Sequence, residues 1–233
     1  MSLETILDDI KEVLQDSSYT DETLTRKINQ AVSRIAAGVR MPDGLISPPL
    51  PDLFEYSTVE TSLILPYVPL PSTYQRNVTA VYDSSGCLIS HPQGGGYYSF
   101  ALFLSQISDK RLTETGSVYK VAIKGMRLYY QGIPTAAETI GLHFYRKPVD
   151  MAEDDDSPDG IPEHLQNQLV KHYVLKEIFG EAIEDGQDSK GSGMKYHTAK
   201  FFESMTDLVD YVGIDAKPEY YGMDGGYDAG ACD

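Results

Sequence analysis

The residues best equipped for chemistry are acids. Asp155-x-Ser157-x-Asp159-Gly160-Ile161 reproduces the opening of a calcium-binding loop, in which oxygen ligands alternate along the chain. Such a loop closes with a bidentate Glu, but Asn167 holds that position and Pro162 holds the following hydrophobic slot. The stretch therefore reads as a solvated acidic linker. Gly186-x-x-x-x-Gly191 has phosphate-loop spacing, yet Ser192 stands where the phosphate-binding Lys belongs and no strand precedes it. His164 and His172 are eight apart, so they do not share a helical metal-binding face. His91, His143 and His197 are isolated in sequence and read as surface or internally satisfied side chains. No Gly-x-Ser-x-Gly elbow supports a serine nucleophile, and Asn77-Val-Thr79 is a chance glycosylation sequon. No metal and no cofactor is expected.

The 35 acids offer many carboxylate pairs, but acid–base glycoside cleavage needs two of them held roughly 5–10 Å apart. The densest acids lie in Asp150–Glu163, with seven carboxylates and no basic residue, a run that repels itself and reads as flexible. Groups that must be held within fractions of an ångström are poorly served there. A carboxylate-dependent cell-wall or polysaccharide hydrolase is thus the second reading, without named catalytic residues. A small carbohydrate-binding β module is a third, with Tyr129 and Tyr130 as its candidate aromatics. The leading reading is a structural protein, not an enzyme.

A net charge of −16 argues against broad contact with phosphate backbones, although a negative surface lets DNA pass without sticking. No apolar run approaches the roughly 20 residues that cross a bilayer, and no secretory signal opens the chain. Two cysteines, Cys87 and Cys232, are too few for a disulfide framework or a metal cluster, so the cytoplasm is the default. Against this acidity Arg26, Lys27, Gln30 and Arg34 form a basic ridge on one helix. Its natural complement is Asp154, Asp155 and Asp156, and the two are paired here as candidate subunit–subunit contacts.

The elements that must position these groups follow from hydrophobic period. Leu3–Gln15 carries Leu3, Ile6, Leu7, Ile10, Val13 and Leu14 on one helical stripe. Asp21–Val39 does the same with Leu24, Ile28, Ala31, Val32, Ile35 and Val39. Seven prolines between Pro42 and Pro71 then enforce extended chain with short edge strands at Phe54–Thr58 and Leu63–Leu65. Arg76–Tyr82 reads as a strand with Val78, Ala80 and Tyr82 inward, and Cys87–Ile89 begins its return. Ser99–Ile107 fits helix or strand. Val118–Ile123 and Met126–Tyr130 alternate around a turn at Lys124-Gly125 as a hairpin, and Thr139–Tyr145 reads as its third strand. Helical period resumes in Pro162–Ile183, through Leu165, Leu169, Val170, Tyr173, Ile178 and Phe179. Met194–Val212 follows, with Ala199, Phe202, Met205, Val209 and Val212 inward.

The fold class is α+β: a helical bundle of two N-terminal and two C-terminal helices, with an inserted antiparallel β-sheet or barrel-like domain. The expected divisions are a helical domain at 1–45 and 150–212, an acidic linker at 150–161, and a β domain at 46–149. An extended tail occupies 213–233, with five acids, one Lys and the rings of Tyr220, Tyr221 and Tyr227 among glycines. Alone it cannot bury enough surface to fold, so those tyrosines are candidate anchors on a partner.

The order of elements carries a resemblance. Two short helices with a positive ridge come first, then Leu70-Pro-Ser-x-Tyr74. A β segment containing Tyr119-Lys-Val-Ala-Ile-Lys-Gly125 follows and closes on Phe144-Tyr-Arg-Lys-Pro148, before Ile161-Pro-Glu-His-Leu165 opens a helix. Over roughly residues 3–212 this resembles the head–tail adaptor (connector) proteins of tailed bacteriophages, including the tail-tubular type. The resemblance implies a homo-oligomeric ring, usually twelve-fold, beneath the portal protein. That ring extends the channel for packaged double-stranded DNA and docks tail or nozzle proteins, with no cofactor and no membrane. The acidic linker and the Gly/Tyr tail are not matched to the family pattern residue by residue.

Overall fold

The computed structural model describes residues 1–89, 100–186 and 190–213. The described residues divide into two compact units, a helical one (1–53 and 147–213) and a β one (54–146). Among the described residues, five α-helices and two small antiparallel sheets make it an α+β protein.

In the helical unit, α1 (Leu3–Leu14) and α2 (Asp21–Ala37) start on Ser2 and Thr20, whose hydroxyls accept from Thr5 N and Thr23 N at 3.3 Å. Their buried stripes are Leu3, Ile6, Leu7, Ile10 and Leu14, and Leu24, Ile28, Ala31, Val32, Ile35 and Ala36. Val13, expected inside, is 39% exposed. Both helices pack on α4 (Glu163–Glu184), and α4 packs on α5 (Gly191–Val212). Gly193 brings the last two close: a Cβ there would lie 3.0 Å from Phe179 Cδ2.

The buried face of α5 is His197, Phe201, Ser204, Met205, Leu208 and Val212: Met205 and Val212 are inward as expected, Phe202 and Val209 are half-buried and Ala199 is exposed. Two polar residues share that face, which hides it from a count of apolar side chains. Ser204 satisfies itself by donating to Lys200 O at 3.0 Å.

The β unit holds β1 (Phe54–Glu60), β2 (Tyr67–Pro69), β3 (Tyr74–Tyr82), α3 (Phe100–Gln106), β4 (Lys120–Lys124), β5 (Arg127–Gln131) and β6 (Thr139–Arg146). Two three-stranded sheets form, ordered β1-β6-β3 and β2-β5-β4. The β4–β5 hairpin is as expected, but β6 leaves it to become the centre of the other sheet. Both sheets contribute to one core: Val78, Val81, Ile140, Leu142 and Phe144 from the first, Val68, Val121, Leu128 and Tyr130 from the second. Ser99–Ile107 resolves as helix α3, whose Phe103 packs with Ile107 and Ala122 of β4.

Two strand assignments change. Leu63–Leu65 is an irregular loop, and the strand there is β2. In β3 the inward residues are Val78 and Val81, because the ladder with β6 slips between Arg76 and Ala80, where Asn77 takes φ 50°. A bulge reverses the alternation beyond it, so Ala80 and Tyr82 are only half-buried. The return of Cys87–Ile89 is confined to a bridge, Tyr82–Leu88, and one bond from Ile89 N to Val81 O at 2.8 Å.

Candidate functional site

The acidic run is held, and the reason is backbone geometry. Met151, Pro158 and Ile161 are buried within it. Asn29 of α2 binds the Met151 backbone at both ends: Nδ2 donates to Met151 O and Oδ1 accepts from Met151 N, each at 2.9 Å. The carbonyls of Asp156 and Asp154 then accept from Leu3 N at 2.7 Å and Glu4 N at 3.1 Å. Those N–H groups belong to the first turn of α1 and have no partner within the helix. The run therefore caps α1 and sets carboxylates near the positive end of its dipole, which offsets their mutual repulsion.

The three acids differ in role. Asp154 and Asp155 are exposed. The Asp156 carboxylate accepts from Ala152 N at 2.7 Å and Glu153 N at 2.8 Å, and these bonds hold its pKa below the ordinary aspartate value. Asp159 accepts from Val149 N at 2.8 Å. Gly160, the most motif-like feature of the calcium-loop resemblance, has a structural reason. Its φ is +76°, and a Cβ would lie 2.6 Å from Leu53 Cγ. Among the described residues no cluster of three or more His, Cys, Asp or Glu is arranged to hold a metal.

The basic ridge also separates into parts. Lys27 Nζ is 2.6 Å from Glu181 of α4, so its charge is spent within the chain. Arg26 and Arg34 are exposed, eight residues apart with Gln30 between them on the outer row of α2. Among the described residues neither lies within ion-pairing distance of a carboxylate. Arg26 lines a cleft of about 600 Å³ with Glu22, Asn29, Ser33 and Asp150. Arg26 thus sits beside the start of the acidic run in its own chain, while Asp154 and Asp156 are carried to the start of α1. Tyr220, Tyr221 and Tyr227 lie outside the described residues.

One constellation has no sequence signal. His172 of α4 and His197 of α5, 25 apart in the chain, meet with their Nδ1 atoms 2.9 Å apart. Burial lowers the His172 pKa, with help from Lys171 and Lys200 and against Glu203. Burial, His172 and Lys171 together push His197, only 6% exposed, down to about 4. Both rings are neutral near pH 7, and one N–H lies between them. Tyr196 and Phe179 enclose His197 at centroid distances of 5.0 and 5.4 Å. The pair is a structural latch between the two helices.

The aromatics proposed for sugar binding are otherwise employed. Tyr130 is fully buried, and its hydroxyl accepts from Ser62 N at 2.7 Å and donates to Leu65 O at 2.9 Å. Tyr129 is half-buried between Phe100 and Tyr67, at 4.7 and 5.2 Å. Neither forms an open platform.

With two exposed guanidinium groups and a capped, largely exposed acid run, the helical unit offers charged surfaces. A family model described as SU10 adaptor protein matches residues 1–222. The chain belongs to the SU10 adaptor protein family. The match spans both units, in agreement with the resemblance to phage adaptors, and does not single out the tail-tubular type. None of the curated proteins compared matches the chain. No helix among the described residues of this adaptor is long and apolar enough to cross a membrane.

Proposed function

We propose that this adaptor is a structural virion protein of a tailed bacteriophage. Copies of it form a closed ring between the portal protein and the tail or nozzle, twelve-fold as the resemblance to phage adaptors implies. The ring extends the channel through which packaged double-stranded DNA passes without sequence-specific binding. Assembly takes place in the host cytoplasm, and the mature location is the head–tail junction. The observation that carries this reading is the family match over residues 1–222.

A cyclic ring needs two different surfaces that meet head to tail. Arg26 and Arg34 supply one, and the exposed carboxylates of Asp154 and Asp155 the other. Lys27 supports the first by tying α2 to α4, and Asp156 supports the second by holding the acid run in shape. Each exposed pair contributes only about 0–1 kcal/mol, so specificity comes from repetition around the ring. A carboxylate-rich channel wall would let DNA slide, in keeping with the net charge of −16. The tail, with Tyr220, Tyr221 and Tyr227, docks on the portal or on a neighbouring copy.

The experiment is charge reversal, Arg26→Glu with Arg34→Glu, followed by sedimentation and circular dichroism. Loss of rings with an unchanged helical signal is expected; persistent rings refute the ridge–acid contact. In the same assay, chains lacking residues 214–233 should no longer co-sediment with the portal.

A further inference from the structure

Cys87 closes a tightly held turn at the end of β3. Asp83 Oδ1 accepts from Ser85 N at 2.8 Å and from Cys87 N at 2.9 Å. Asp83 N donates to Cys87 O at 2.9 Å, and Gly86 N donates to Asp83 O at 3.0 Å. Gly86 takes φ +81°, a left-handed conformation that glycine adopts without strain. Beyond the turn the chain is tied back to β3, through the Tyr82–Leu88 bridge and the bond from Ile89 N to Val81 O at 2.8 Å. The half-buried Cys87 is therefore fixed in place.

Its sulfur is committed. Cys87 is disulfide-bonded, and no cysteine among the described residues is free. The sequence holds one other cysteine, Cys232, which lies outside the described residues. By elimination, Cys232 is the partner. At roughly 3.3 Å per residue, the chain from Gly213 to Cys232 reaches up to about 60 Å, against a radius of gyration of about 12 Å for a unit the size of 54–146. Length does not prevent the pairing.

Charge favours the same destination. Residues 54–146 hold seven Lys or Arg and six Asp or Glu, whereas 1–53 and 147–213 together hold eleven and twenty-four. A segment with five acids and one Lys is repelled by the helical unit and not by the β unit. The carboxylate nearest to Cys87 in sequence, that of Asp83, is already occupied by the N–H groups of the turn.

We propose that Cys87 and Cys232 of one chain form a redox-controlled tether, open while the protein is made and closed once the particle leaves the host. Thiols in a cytoplasm are kept reduced. In closing, each thiol gives up one proton and one electron, the S–S bond forms, and dioxygen takes up both protons and both electrons as hydrogen peroxide. Asp83 and Asp233, the acids beside the two cysteines, disfavour the thiolate, which is the reactive form, so closure is slow and waits for an oxidising medium. Residues 214–231, with Tyr220, Tyr221 and Tyr227, become a loop held at both ends, which has fewer conformations to lose on docking. That consequence rests on the reading of the tail as a docking segment; the bond does not.

The test uses the full-length chain, alkylated with iodoacetamide either at lysis or after exposure to air. Peptide mapping by mass spectrometry should find both cysteines alkylated in the first sample. A linked Cys87–Cys232 peptide is expected in the second and in released particles. Isotope-labelled and unlabelled chains are mixed to mark links between copies. Two alkylated cysteines after prolonged exposure to air, or a link that joins different copies, would overturn the tether. A linked peptide already present at lysis would overturn its redox control. The air-oxidised chain is then co-sedimented with the portal before and after reduction by a phosphine, with Cys232→Ser as the permanently open control. Reduction should weaken binding about fivefold and leave Cys232→Ser unchanged. Equal binding in both states would overturn the preorganising role. A linked chain that is absent from particles would overturn the head–tail reading and leave the tether standing.

Discussion

Acidification should release the latch between α4 and α5. His172 and His197 share one hydrogen at an Nδ1–Nδ1 distance of 2.9 Å, under rings and beside Lys171 and Lys200, with Glu203 the one opposing charge. A first added proton must be accommodated where burial and two lysines disfavour it. A second sets two imidazolium groups in contact. In the unfolded chain both rings protonate near pH 6.5. Folded His197 resists until about pH 4. Its contribution to stability is therefore fully present above pH 6.5 and is lost as pH falls from there toward 4.

At about 1.4 kcal/mol per pH unit for each proton refused, about 2–3 kcal/mol is lost between pH 7.5 and 4.5. For a chain of this size that lowers the midpoint of thermal unfolding by about 5–10 °C. Carboxylates also titrate in this window, so the comparison is with His172→Phe/His197→Phe, which removes both partners together. Thermal unfolding followed by circular dichroism at 222 nm, in half-unit pH steps, gives the two curves. They should run parallel above pH 6.5 and diverge below it, with the wild type falling faster. Curves that stay parallel down to pH 4.5 would refute the latch.

Two other predictions concern bracing. Tyr130→Phe removes a buried hydroxyl that serves Ser62 N and Leu65 O, and should cost about 1–3 kcal/mol. Amide exchange in residues 61–66 should accelerate while β4 and β6 stay protected; unchanged exchange would mean the loop is held without that hydroxyl. Gly160→Ala forces a side chain into a left-handed backbone and against Leu53, and should cost about 2–4 kcal/mol in urea unfolding. A loss below about 0.5 kcal/mol would show that the turn relaxes freely.

Helical faces are readable where the apolar period is unbroken, as in most of α1, α2 and α4, with Val13 and Val39 the exceptions at the ends of the first two. In α5 only Met205 and Val212 are legible as inward, because the buried face also includes His197 and Ser204, which are satisfied by polar partners. The β4–β5 hairpin is a local element and was legible. The transfer of β6 to β1 and β3 depends on pairing across 79 to 91 residues for β1, which no local pattern records. The bulge at Asn77 reversed the phase of β3 in the same hidden way. At the candidate site, residue type located Arg26 and Arg34, but not the commitment of Lys27 to Glu181, 154 residues away. Nor did it show that the acid run is anchored by Asn29 and by carbonyl groups, since backbone acceptors carry no sequence signature.

A ring at the junction of head and tail makes this chain a stoichiometric part of the particle. Virions purified from lysate, with this chain quantified against the portal protein by mass spectrometry, test it most directly. A ratio near one is expected for a ring stacked on the portal; absence of the chain from mature particles would contradict it.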